Sequence, residues 1–109
     1  MELSTNDKKV ALEVIEIGLQ NEFKNNLLKF SRVLKEWEEK PVDNNETYYK
    51  LYKKVIKFEK HLAHRYDGMN DSKYILIIAA QLVDGVISKE DLEPFSEEVK
   101  QRINNIINI

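Results

Sequence analysis

Residues 7–40 read DKKVALEVIEIGLQNEFKNNLLKFSRVLKEWEEK, and this stretch decides the fold. Apolar side chains recur at Leu12, Ile15, Leu19, Phe23, Leu27, Phe30, Leu34 and Trp37. Steps of three and four place them on one face of an α-helix, close to a heptad seam. Val10, Val14, Ile17, Leu28 and Val33 widen that face beyond a narrow coiled-coil line. Ser4 with Asp7 three residues on resembles a capping box, Asp standing in for Glu, so the helix is expected to start there. Pro41 ends it, because the residue before a proline is pushed out of the α region. Gly18 is the weak point, and a kink there that folds the helix back is the alternative to an unbroken rod.

A helix from Asp7 to Lys40 is roughly 50 Å long at ~1.5 Å per residue. A compact domain of this size has a radius of gyration of about 13 Å and a diameter nearer ~35 Å. The apolar stripe runs the whole helix, so the rest of one 109-residue chain cannot cover it. A second copy can. The expectation is a homodimer through the long helices, with Leu19, Phe23, Leu27 and Phe30 in the seam; whether dimers pair further into tetramers stays open. Phe23, Phe30 and Trp37 are read as core or seam residues rather than as a box for a pigment or other apolar ligand.

Outward from this helix, Val42–Asn45 is a short polar loop with Asn44 or Asn45 as the next N-cap. A second helix carries Tyr48, Leu51, Val55, Phe58, Leu62 and Tyr66 at helical spacing. Residues 67–70 form a turn. Asp71 or Ser72 is expected to cap a third helix, Tyr74–Val83, which is apolar on all sides and should be the most buried element. Its β-branched content also suits a strand, but its length, its alanines and the Gly85 stop favour a helix. Ser88–Asp91 is another N-terminal box. Pro94 is expected to open a last helix with Phe95, Val99, Ile103, Ile106 and Ile107 on one face. The fold class is all-α: a long first helix, about 7–40, and a helical head, about 46–107, forming one domain.

Composition excludes several functions. There is no cysteine, hence no disulfide, thiol catalysis or thiolate metal site. Three glycines and two prolines starve the chain of turn-formers. The start, Met-Glu-Leu-Ser-Thr-Asn-Asp, lacks a signal-peptide pattern, and the longest near-continuous apolar run, 74–83, is about half the ~20 residues of a membrane span. The expectation is a cytoplasmic protein without membrane contact. No Gly-rich phosphate loop or serine elbow occurs. His61, His64 and Glu59 lie close together on helix two, but a metal needs three ligands aimed at one point, and ordinary surface residues explain them. The reading is non-enzymatic, without metal or cofactor.

One charge signal stands out. Between Glu46 and Tyr66 there are six basic residues against two acidic ones, and Lys50, Lys53, Lys57 and Lys60 form a ridge flanked by Tyr49 and Tyr52. Such a ridge is either a solvated face, a site for an acidic protein surface, or a phosphate-binding face. The net charge of −2 disfavours nucleic acid, which is the alternative function carried forward.

Arg65-Tyr66-Asp67, the run from Ile75 to Ile87, Glu90-Asp91-Leu92 and a closing amphipathic helix together resemble the fluorescence recovery protein family of cyanobacteria. The order of elements, long helix first, matches over most of the chain. The resemblance implies an all-helical homodimer without cofactor. It implies binding to the photoactivated orange carotenoid protein, chiefly its C-terminal domain, and faster return of that partner to its inactive form. Such an action requires differential contacts with the partner's states. The family's activity cluster of Trp, His, Asp and Arg falls, by resemblance, on Tyr49, Tyr52, Lys53 and Glu59. Both charges are reversed, so the docking face is rewritten and a partner chosen by charge would be repelled. These four residues are the expected partner-binding set, for a carotenoid-binding protein or another protein in its place.

Overall fold

The structure is a computed structural model that describes residues 2–40 and 43–108. Every regular element among them is helical: α1 (Thr5–Glu39), α2 (Asn44–Tyr66), α3 (Tyr74–Val83) and α4 (Glu97–Ile107), with 3₁₀ turns at Asp71–Lys73 and Lys89–Leu92. None is long and apolar enough to cross a membrane. The chain divides into two compact units, one of Met1–Glu22 with Gly68–Ile109, the other of Phe23–Asp67.

In the first unit, the start of α1 packs with α3 and α4. Ser4 does act as the cap expected of it, its hydroxyl accepting the Asp7 amide proton at 3.0 Å. Asp7 departs from the box. Its buried carboxylate accepts the Ser96 amide at 3.0 Å and the Ser96 hydroxyl at 2.8 Å. Ser96 in turn is the N-cap of α4, accepting from Val99 N. A carboxylate on α1 thus completes the start of a helix ninety residues later in the chain, where the helix dipole favours negative charge. The Ser96 amide, with its hydroxyl and that of Ser4, holds the Asp7 carboxyl below the usual 3.8, against the opposing effect of burial.

Val10, Ala11, Val14 and Ile15 form the buried face of α1, and Ile75, Ile77, Ile78 and Ala79 that of α3. The chain passes Gly18 without leaving the helix, so the kink is not what this glycine is for. Gln81 of α3 lies fully buried against it. A Cβ at position 18 would overlap the Gln81 carboxamide, with its carbon at 2.6 Å. The same carboxamide donates to the Ile15 carbonyl at 3.0 Å. A further clip, Asn21 Nδ2 to the Val86 carbonyl at 2.8 Å, ties α1 to the segment after α3.

That segment turns as expected at Gly85, whose φ of 74° only glycine adopts cheaply. Gly85 N donates to Leu82 O and Val86 N to Gln81 O, the double closure of a Schellman end. Ser88 and Asp91 form the expected box around a 3₁₀ turn. Several caps fall elsewhere than expected. Asp43, not Asn44 or Asn45, caps α2 through Asn45 N at 2.9 Å. Asn70, not Asp71 or Ser72, caps the turn leading into α3. Pro94 lies in a turn, and α4 starts only after Ser96, whose hydroxyl supplies the cap that Pro94 cannot. Pro41, expected to end α1, and Val42, expected to open the loop, lie outside the described residues. Nor is α3 buried all round: Leu76 and Val83 stand on one open edge.

In the second unit, the later part of α1 and α2 form an antiparallel hairpin. Phe23 meets Phe58 edge-on at 5.4 Å near its open end. Trp37 Nε1 donates to Asn44 Oδ1 at 2.9 Å near the loop, and Lys50 reaches Glu36 at 3.9 Å between these two contacts.

Two outcomes are expected in denaturant titrations. Gly→Ala normally stabilises a helix by about 1 kcal/mol. Gly18→Ala is expected instead to destabilise by about 1–3 kcal/mol, because Gln81 must give up its place and its hydrogen bond. In a Gln81→Ala background the sign should revert to stabilising. Asp7→Ala is expected to cost about 1–2 kcal/mol at neutral pH. A carboxylate with a depressed folded pKa contributes fully above its unfolded value and loses its contribution as pH falls through the folded value. The gap between wild type and Asp7→Ala should therefore close on acidification below the ordinary 3.8.

Candidate functional site

The hairpin has too little depth to bury both of its apolar faces. Among the described residues of 23–67 only Val33 and Thr47 are buried. Helical spacing and the three cross-contacts fix which side chains share each side. Glu36 and Lys50 mark one broad side, and Lys53 and Lys57 continue it along α2. The opposite broad side carries Leu27 and Leu34 from α1, and Tyr48 and Val55 from α2, each pair seven residues apart and so two turns along one line. All four are exposed, Leu27 and Tyr48 at 64% each. This open side is largely apolar, with Glu38 one turn beyond Leu34 and Glu59 one turn beyond Val55 at its margins, and nothing in the chain's own hairpin covers it.

Three of the four residues expected in the seam, Phe23, Leu27 and Phe30, fall on or beside this side. Phe23 is exposed, Leu27 most of all, and Phe30 is half-buried at the edge of the α1–α2 contact. Leu19 is half-buried and belongs to the other unit. Leu34, Tyr48 and Val55 complete the patch. Spacing along each helix marks them as apolar, but only the pairing of α1 with α2 tells which broad side each one joins.

All four expected partner-binding residues are exposed on α2. They line its back, away from α1, rather than converging on a pocket. Tyr49 and Lys53 are neighbours one turn apart, and Tyr52 and Glu59 are two turns apart. The Tyr49 ring also meets Tyr48 edge-on at 5.3 Å. Ile56, 37% exposed, sits among them, two turns beyond Tyr49 and one beyond Tyr52. Sequence reading passed over Ile56, because it interrupts neither the apolar stripe nor the lysine ridge. The signal lay in its steps of four and seven from the two tyrosines. The back of α2 is therefore an apolar strip of Tyr49, Tyr52 and Ile56 lying beside a cationic strip of Lys53, Lys57 and Lys60.

Charge is segregated between the units. Residues 23–67 hold eleven Lys and Arg against seven Asp and Glu, a net +4; the remaining six and twelve give −6. The overall −2 conceals this division. Among the described residues, Lys53, Lys57 and Lys60 enter no ion pair.

His61 stacks on Phe58, ring centroids 6.2 Å apart and planes 19° from parallel. It caps an aromatic contact. No group of three or more His, Cys, Asp or Glu side chains among the described residues could hold a metal. In the first unit a groove of about 540 Å³ runs between the end of α3, the second 3₁₀ turn and α4, its lining including Leu82, Leu92, Ile103 and Ile107. Lys100 at its rim is already paired with Glu93 and Glu97, each at 3.4 Å.

No protein-family model, curated protein or solved structure matches this chain.

Proposed function

We propose that the chain is a homodimeric regulator that acts by binding a partner protein, without bond chemistry of its own. The observation that carries this is the open apolar side of the hairpin. A two-helix hairpin has no interior, so Phe23, Leu27, Leu34, Tyr48 and Val55 stay in water unless a second layer of helices covers them. A second hairpin of the same kind supplies that layer and forms a four-helix bundle in which both apolar sides are buried. Leu27, Leu34, Tyr48 and Val55 are 42–64% exposed, so covering them recovers part of the about 1.5–3 kcal/mol that full burial of such a side chain is worth, in each subunit.

The seam then takes one broad side, and the opposite side and back of α2 stay free for a partner. The sequence resemblance gives that partner its class. A fluorescence recovery protein-like dimer presents this helix to a carotenoid-binding protein and favours one of its conformational states. Lys53 and Glu59 both face solvent, so any partner meets charges opposite to those the resemblance implies. We infer a partner protein whose surface has changed in step, or a different partner on the same scaffold.

Sedimentation at micromolar concentration is expected to show a dimer. Leu27→Glu, at a site 64% exposed in the single chain, should leave helical circular dichroism unchanged and weaken the dimer about 100-fold or more. A wild-type chain that sediments as a folded single subunit would overturn the proposal. A separate test mixes the protein with photoactivated orange carotenoid protein and follows colour reversion. The rewritten charges predict little acceleration, restored in part by Lys53→Asp with Glu59→Arg. Full acceleration by the wild type would show that the partner is unchanged.

A further inference from the structure

We infer that the back of α2 is a docking track for an acidic amphipathic helix of the partner. This rests on the protein-binding reading above and specifies its chemistry. Tyr49, Tyr52 and Ile56 form an exposed apolar strip, and Lys53, Lys57 and Lys60 an exposed cationic strip directly beside it. Both run along the helix axis, and both repeat every three or four residues.

An extended acidic chain or a phosphate backbone could use the lysines, but it would leave Ile56 and the tyrosine rings without a complement. A helix matches both strips at once. Its carboxylates at i, i+4 and i+7 have the same rise as Lys53, Lys57 and Lys60, because both partners share the ~1.5 Å per residue of the α-helix. Its apolar residues, one position round the helix, fall on the Tyr49–Tyr52–Ile56 strip, as in helix recognition by other apolar surfaces. The lysines are available: no described residue pairs with these three, and the unit that carries them has a net charge of +4. Glu59 borders the apolar strip on the side away from the lysines, so it repels a carboxylate placed there. The occupant's acidic strip is thereby confined to one flank, which sets its orientation about its axis.

The test uses the full chain and two labelled helical peptides of about twenty residues, long enough to be helical when bound. One carries Glu at i, i+4, i+7 and i+11 beside a Leu strip; the other has each Glu replaced by Lys. Fluorescence anisotropy at low salt is expected to show binding of the Glu peptide and none of the Lys peptide. Lys53→Glu with Lys57→Glu should weaken binding by about tenfold or more. Ile56→Ser, which leaves charge untouched, should also weaken it, by a few-fold. Lys29→Glu, a change of the same sign on α1, should have little effect. Added salt should reduce affinity without abolishing it.

Three results would overturn the inference. One is no binding of the Glu peptide, another is loss with the lysine variants but not with Ile56→Ser, and the third is displacement by a single-stranded or duplex oligonucleotide at equal concentration. The second and third would assign the ridge to a polyanion. Sedimentation of the same samples separates this failure from that of the wider proposal. A dimer that ignores the peptide loses only the docking track, whereas a lone folded subunit removes the regulator dimer itself.

Discussion

A single carboxamide sets the geometry of the head. Gln81 sits fully buried in the most apolar helix of the chain and donates to the Ile15 carbonyl. A buried polar group without a partner costs about 1–3 kcal/mol, more than the about 0.5–1.5 kcal/mol a hydrogen bond yields, so α3 is favoured in the register on α1 in which that bond forms. Gly18 supplies the space, since any side chain there would occupy the volume of the amide. Dispersion and hydrophobic burial by Val14, Ile75 and Ile78 drive the two helices together without selecting a register. The polar clip selects it. Asp7 with Ser96 and Asn21 with Val86 act alike at the two ends of the same α1 face, so the head is defined by three polar contacts set into an apolar interface. Any loss of definition there moves α4 as well, because its cap depends on Asp7.

The second unit follows a different logic. Its two helices have a narrow contact line, with Phe23, Phe58 and Trp37 along it, and no third helix to close the bundle. The remaining apolar surface is not scattered. Part of it lies on one broad side as Leu27, Leu34, Tyr48 and Val55, and part on the back of α2 as Tyr49, Tyr52 and Ile56, with lysines opposite the first. The proposed contact between copies uses the first of these patches twice. The two units also differ in net charge, +4 against −6, so each presents a field of its own sign to its surroundings.

Helix α2 therefore works as a three-sided element. One side seals against α1, one joins the apolar patch, and the third presents tyrosines, an isoleucine and lysines to solvent. This division follows from 3.6 residues per turn acting on a sequence in which apolar, aromatic and basic residues recur at offsets of one. It also explains why the expected site residues do not converge. Tyr49, Tyr52, Lys53 and Glu59 make a track rather than a pocket, suited to a surface and not to a small ligand.

Much of this was legible without a structure. Spacing alone marks the extents of α1 and α2 to within about two residues, because long stretches of strong 3.6-residue periodicity leave no competing conformation. The Gly85 end and the Ser88–Asp91 box were equally legible, since both depend on contacts within six residues. Where several neighbouring residues can each cap, local chemistry does not choose. Asp43 and Asn70 were selected by how the chain enters the helix, and α4 was delayed past Pro94 because Asp7, far off in sequence, was there to meet Ser96. The role of Gly18 and the burial of Gln81 were likewise invisible: a glycine in a helix and a glutamine in an apolar run both look like flaws until the two helices are laid against each other. Local periodicity determined which residues are helical and which faces are apolar. Only the tertiary structure decided which of those faces are satisfied within the chain and which remain open, because that depends on contacts between segments that no spacing rule brings together.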